Sequence, residues 1–294
     1  MKKTLSTLVF ISLIALLSGC FKSNESALKI SITTWLGYTP LLYSQEKGWL
    51  EPLNVKLVSA ISLSESMYIY QSGVTNVFCG TQYEYSILKT TYPELIPLIL
   101  FDRSNGGDLI MSNVTIKALQ NSNEKIHVYL EMDSVNFILL QDFIKKYHIN
   151  EQRLIYNNRD QIEISALKAS QAQAVLVVTY IPFNTKLEKN GFQEILSTKS
   201  LSDLLVVDAL YATKGVFLAN EDKFKQLKIL INNALIALKE NPQEYYQTVK
   251  PYLDDMTYQE FLDGLGDIIW LNQTLDEPLK LRMRQASFPI KDLL

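Results

Sequence analysis

Two cysteines and two histidines in 294 residues leave little room for metal or redox chemistry. His127 opens the apolar run Val128-Tyr129-Leu130, and His148 follows a helix-like stretch. Neither has a second His or Cys at ligand spacing, so no metal site is expected. Cys79 sits in the apolar run Val77-Phe78-Cys79-Gly80 and reads as a small buried hydrophobe. No Gly-rich phosphate loop, HExxH or GxSxG motif occurs, so neither a cofactor nor catalysis is expected. No dense Lys/Arg run exists and the net charge is -3, which argues against nucleic acid as partner. Low-complexity segments and tandem repeats are also missing.

The one long apolar stretch lies at the N-terminus, from Thr4 to Leu17 behind Lys2 and Lys3. It is short of the roughly 20 residues that a membrane span needs. A basic start, an apolar middle and small residues at its end describe a secretory signal peptide over 1–19. Leu17-Ser18-Gly19-Cys20 resembles the lipobox of bacterial lipoproteins. That resemblance implies lipidation, palmitate included, at Cys20 and a body tethered outside the cytoplasmic membrane. Cys79 is then left without an intramolecular partner. Residues 20–27, polar and turn-rich, read as the tether.

Beyond the tether, 47% apolar and 20% charged residues suit a globular body with a full core. Extended and helical patterns alternate. Strands are expected at 28–34, 55–58, 74–79, 96–101 and 109–112, with helices at 39–47, 64–71 and 82–90 between them. Thr39-Pro40 and Ser64 are read as helix starts, with Thr39 and Ser64 as caps. A second series runs from about Val114: helices at 116–120, 134–147, 160–170 and from Pro182, with strands at 126–131, 154–156 and 174–178. Leu204 to Val207 is strand-like, and a helical tail follows at 223–239, 242–249 and 257–265. This rhythm implies α/β lobes built on mainly parallel sheets.

Six segments, in order, carry a resemblance over nearly the whole mature chain. They are Trp35 to Pro40 with Glu46 to Trp49, Phe101 to Asp108, Ser134 to Leu140, Thr179 to Phe183, Ser202 to Val207, and Asn241 to Glu244. Together they resemble the substrate-binding components of ABC importers for nitrate, sulfonates, taurine and pyrimidine precursors. The resemblance implies a two-lobed periplasmic-binding-protein fold of type II with a ligand cleft between lobes. It places lobe one at 28–112 plus 204–294 and lobe two at 113–203. It also implies a monomer that binds a small molecule and hands it to an ABC permease, or reports it to a membrane receptor. Enzymes occur on the same or a related fold, a pyrimidine-precursor synthase and menaquinone-precursor enzymes among them, but the synthase's Cys-rich motif is absent. The chain departs from the family's Trp-Glu-Pro-like segment by carrying Tyr180 and Ile181.

Candidate ligand contacts follow from strand ends, where ligands of open α/β sheets sit. They are Trp35, Gly37, Tyr38, Thr39, Gly80, Thr81, Arg103, Ser104, Asn105, Gly106, Glu131, Ser134, Tyr180 and Asp203. Helix starts near Pro40 and Ser134 would offer N–H groups to an anion, and Arg103 a charged fork. Asp102, Glu131, Asp133 and Asp203 favour the opposite, a cation or a hydrogen-bond donor. The ligand's charge stays open at this level.

Overall fold

The computed structural model describes residues 27–201, 204–272 and 275–294. Signal peptide, Cys20 and Asp203 therefore lie outside the described residues. β1 (Leu28–Ile32) leads through a 3-10 turn at Leu36–Tyr38 into α1 (Thr39–Glu46). β2 (Val55–Ser59), α2 (Leu63–Gln71), β3 (Val77–Thr81), α3 (Gln82–Thr91) and β4 (Leu95–Ser104) follow. Then come β5 (Asp108–Ser112), α4 (Ile116–Asn121), β6 (Ile126–Leu130), α5 (Val135–Tyr147), β7 (Leu154–Asn158) and α6 (Gln161–Ser165). β8 (Ala174–Tyr180), α7 (Asn184–Lys189), β9 (Gln193–Ser197) and β10 (Val207–Thr213) continue the series. The tail holds α8 (Lys214–Ala219), α9 (Glu221–Glu240), α10 (Pro242–Val249), α11 (Tyr258–Leu265), β11 (Ile268–Trp270) and α12 (Glu277–Gln285).

Two sheets form, one in each lobe, in the orders β11-β4-β10-β3-β1-β2 and β7-β6-β8-β5-β9. Both follow one plan. Parallel strands flank an inserted antiparallel strand that has just arrived from the other lobe: β10 between β3 and β4, and β5 between β8 and β9. Because β5 pairs with β8, the chain leaves the first lobe at 105–107 and not after 112. It returns between β9 and β10. Strands β3 and β5 are buried along their whole length, which explains the apolar runs Val77 to Cys79 and Leu109 to Met111. Pro97 lies in β4 where the pairing with β10 is irregular, the register shifting between Leu210 and Tyr211, and such irregularities tolerate proline.

Caps move several expected boundaries. Ser62, not Ser64, caps α2 by accepting from the Glu65 N–H. Thr39 is inside α1, and its hydroxyl donates to the Leu36 carbonyl at 2.7 Å. The segment from Pro182 becomes helical only at Asn184, and α6 stops at Ser165 instead of 170. Leu204 to Val206 lie before β10, not in it. β9, β11 and α12 were not foreseen. Capping boxes close α3 (Thr81 with Glu84) and α11 (Thr257 with Glu260). Thr257→Ala should cost about 1 kcal/mol, seen as a lower denaturation midpoint at unchanged slope.

Apolar clusters cover both faces of each sheet. The largest packs α9 (through Phe224, Leu227 and Ile231), α1 and α10 on the first sheet, with Tyr43 stacked on Tyr245 at 4.5 Å. It does not end at the lobe boundary: Val135, Tyr180, Ile181 and Phe183 of the second lobe belong to it. The lobes are thus closed on each other.

Candidate binding site

The antiparallel insertions explain which side chains meet between the lobes. β10 runs against its neighbours, so its first residues lie beside the last residues of β3 and β4. Asp208 is level with Thr81 on one side and Asp102 on the other. In the second lobe Asp108, the first residue of β5, is level with Tyr180 at the end of β8. A cavity of about 10 Å3 lies among Trp35, Leu63, Thr81, Asp108, Tyr180 and Asp208, close to the space one water needs. Larger surface grooves occur elsewhere, among them one by Tyr85 and Phe288 and one by Tyr246 and Met256, away from this junction.

Trp35 spans the cleft. Its indole N–H donates to both Asp102 oxygens, at 3.3 and 3.2 Å, and its ring meets Tyr180 edge-on at 6.0 Å. Gly37 lets Asp102 come this near: a Cβ there would fall 1.7 Å from Asp102 Oδ2. Tyr38 is fully buried below the cavity, donates its hydroxyl to Asp208 and packs on Phe101.

Two carboxylates latch the lobes reciprocally. Glu84, on α3, accepts from the Val135 N–H that opens α5 across the cleft, at 2.9 Å. Glu131, after β6, accepts from the Leu63 N–H that opens α2 in the other lobe, at 3.0 Å. Each helix start offers unpaired N–H groups and positive potential. Here the protein's own carboxylates take these positions. Tyr180 donates weakly to Glu131, at 3.5 Å.

Burial dominates the electrostatics. It raises Asp108 to about 7, against a Ser104 hydrogen bond and helped by Glu84, and Glu131 to about 8, against a Gln161 hydrogen bond. Asp102 and Asp208 are raised well above the carboxylate range, again chiefly by burial, and each also bears the charge of neighbouring acids. Glu84 is raised by burial, opposed by hydrogen bonds from Thr81 and the Val135 N–H. No Lys or Arg lines the cavity.

The expected site residues divide into groups. Trp35, Thr81 and Tyr180 line the cavity, and Glu131 joins its wall through Tyr180. Gly37 and Tyr38 support that wall. Ser134 is spent as the α5 cap and donates to the Glu131 carbonyl at 3.0 Å. Thr39 is fully buried and also accepts from the Tyr245 hydroxyl, so it points into the core. Gly80 packs on Phe78 away from the cavity. Ser104, Asn105 and Gly106 stitch the crossing: Ser104 and Gly106 bond Thr198, in the 3-10 turn after β9, at 2.8 Å, and the Asn105 N–H donates to the Asp267 carbonyl. Arg103 follows Asp102 and so takes the opposite side of β4, where Asp276 and Arg282 act on its charge. The anion-pairing role expected of Arg103 does not fit that placement.

Leu63, Asp108, Asp208 and Glu84 are not among the expected site residues. Glu84 was visible only as the fourth residue of a capping box. Asp208 was a lone acid in the apolar run Leu204 to Ala212, a signal available but unused.

No protein-family model and no curated protein matches the chain. Solved structures do. An alkanesulfonate-binding protein, SsuA from Xanthomonas axonopodis pv. citri bound to MOPS, aligns with TM-score 0.69 at 11% identity over 90% of this chain and 92% of that one. The Candida albicans CA3427 product, described as having the generic periplasmic binding protein fold, aligns with TM-score 0.66 at 10% identity over 89% and 90%. This chain has the periplasmic-binding-protein fold. A zinc-bound ligand-binding component of an ABC-type import system from Staphylococcus aureus aligns with TM-score 0.67 at 13% identity over 90% and 92%. In the binding-protein fold, the cavity of this chain sits at the junction of the two lobes, beside both crossing segments. Among the described residues no group of three or more His, Cys, Asp or Glu is arranged to hold a metal ion. No helix among them is long and apolar enough to cross a membrane.

Proposed function

We propose that this protein is an extracytoplasmic solute receptor that captures a small molecule between its lobes and delivers it to an ABC importer. The observation that carries the reading is the enclosed polar cavity at the lobe junction, walled by side chains of both lobes. Capture would occur with the lobes apart. Closure then buries the solute, and the closed shape is what a permease reads. Structural relatives that bind solutes for import support this reading, as does the export pattern of the N-terminus, with Cys20 as lipid anchor. No chemistry is required of any residue.

The test uses the full chain carrying Cys20→Ser and a panel of sulfonates, phosphonates, carboxylates, pyrimidines, amines and nitrate. A ligand of the folded state raises the melting temperature by mass action. The expected result is a saturable rise for one chemical class, with a change in the small-angle scattering profile as lobe positions respond. A cooperatively melting protein that responds to none of them, in melting or scattering, overturns solute capture.

A further inference from the structure

Resting on the solute-capture reading, we propose that the ligand is an organic cation, seated by its N–H donors on Asp108 between Trp35 and Tyr180. Three independent observations converge on it.

The first is an orphaned acceptor. Asp108 is 4% exposed, lines the cavity, and its Oδ2 has no hydrogen-bond partner. A buried carboxylate oxygen without a donor is costly, and such groups are rarely left so without a purpose. For the ionised carboxylate the missing partner is a donor, and its place is the cavity. An anion placed there would add a further unpaired acceptor.

The second concerns the places where an anion would otherwise sit. The starts of α2 and α5 are the helix ends aimed across the cleft, and helix starts bind anions readily. Glu131 and Glu84 already occupy their Leu63 and Val135 N–H groups. A sulfonate or nitrate at either of these two starts would have to displace a buried carboxylate.

The third is the wall chemistry. Asp208 and Asp102 lie side by side on adjacent strands behind Asp108, while Arg103 lies on the far side of β4. The cleft thus supplies acceptors without a basic side chain. Trp35 and Tyr180 stand edge-on to one another. Aromatic walls hold an ammonium or amidinium group as well as its alkyl part. The cavity of about 10 Å3 is smaller than any such ligand, so the lobes must part to admit it.

The experiment titrates the Cys20→Ser chain with ethylammonium, putrescine and acetamidinium chlorides at matched ionic strength. Ethanesulfonate, nitrate and acetate serve as anions and acetamide as a neutral amide. The expected result is a saturable melting-temperature rise for at least one cation and none for the anions. Asp108→Asn, which keeps the shape, then weakens the responding cation by about tenfold or more. Arg103→Gln leaves it unchanged. A rise with anions or acetamide, and none with cations, overturns the cation inference while leaving solute capture standing. Cation binding that ignores Asp108→Asn overturns the seat. Silence from every probe overturns the cation inference, and the broad panel above then decides solute capture separately. If Asp108→Asn fails to fold, Asp108→Glu and Asp108→Ser take its place, and equal affinity in either overturns the seat.

Discussion

Raising the pH from about 5 to about 9 should lower the melting temperature of the ligand-free protein by about 5 °C or more. The direction is opposite to ordinary acid denaturation and follows from the sign of the shifts. Burial raises Asp108 to about 7 and Glu131 to about 8, and raises Asp102, Asp208 and Glu84 in the same sense. Exposed in the unfolded chain, such acids lose their protons near pH 4. Between these limits the folded state holds protons that the unfolded state has released. The stabilisation is therefore complete below about pH 4 and is lost as the pH climbs through about 7 and 8. Each retained proton contributes up to roughly 1.4 kcal/mol per pH unit, less where opening of the lobes relieves the burial first. The groups facing Asp108 are Ser104, Glu84 and Tyr180, with Asp102 and Asp208 on the adjacent sheet; none is basic. Glu244 and Glu260 are shifted down, by Lys47 and by the Thr257 N–H respectively, and act only at lower pH. Melting curves across the range decide it, and a flat or rising profile would sink the account. Glu131→Gln removes one titration and should flatten the curve while keeping an acceptor for the Leu63 N–H.

Gly37→Ala should destabilise the protein by about 3 kcal/mol and abolish ligand binding. The cost is steric. A Cβ at this position would lie 1.7 Å from Asp102 Oδ2 and 2.4 Å from Trp35 Nε1. Either the carboxylate or the indole must leave. Overpacking of a filled core costs about 1–3 kcal/mol, and an indole N–H left buried without its acceptor adds about 1–3. Gly215→Ala provides the contrast, since nothing lies within 4 Å of its added Cβ. Urea midpoints of the two variants measure the difference. Equal midpoints would mean that Trp35 and Asp102 are not packed as described.

Much of the fold was legible before any coordinates. Strand–helix alternation, turn residues and caps are local signals, and they located β1, β2, α3, α5, α10 and α11 within a few residues. The errors were local too. Ser62 and Ser64 are equivalent as caps by residue type, and only the position of the Glu65 N–H distinguishes them. β11 is three residues long and exists because β4 offers it an edge, so it has no periodicity to read. The resemblance put Asp108 in the first lobe, and an extended run through 112 does not say which sheet it joins; its pairing with β8 places it in the second.

The resemblance carried by six segments implied the two-lobed binding-protein architecture. Residue pattern alone determined the α/β class, the leader pattern, and the aromatic residues Trp35 and Tyr180 at strand ends. These rest on spacing and residue type, which are properties of the chain. What only the tertiary structure decided is the charge of the cleft. Asp102 and Arg103 are neighbours in sequence, and strand alternation turns one toward Trp35 behind the cavity wall and the other away from it. Asp208 and Asp108 lie far apart along the chain, and each reaches the cleft because an antiparallel strand inserted into a parallel sheet brings its first residues to its neighbours' last. Register and strand direction are collective properties of a sheet, and they turn a site with open charge into an acidic one.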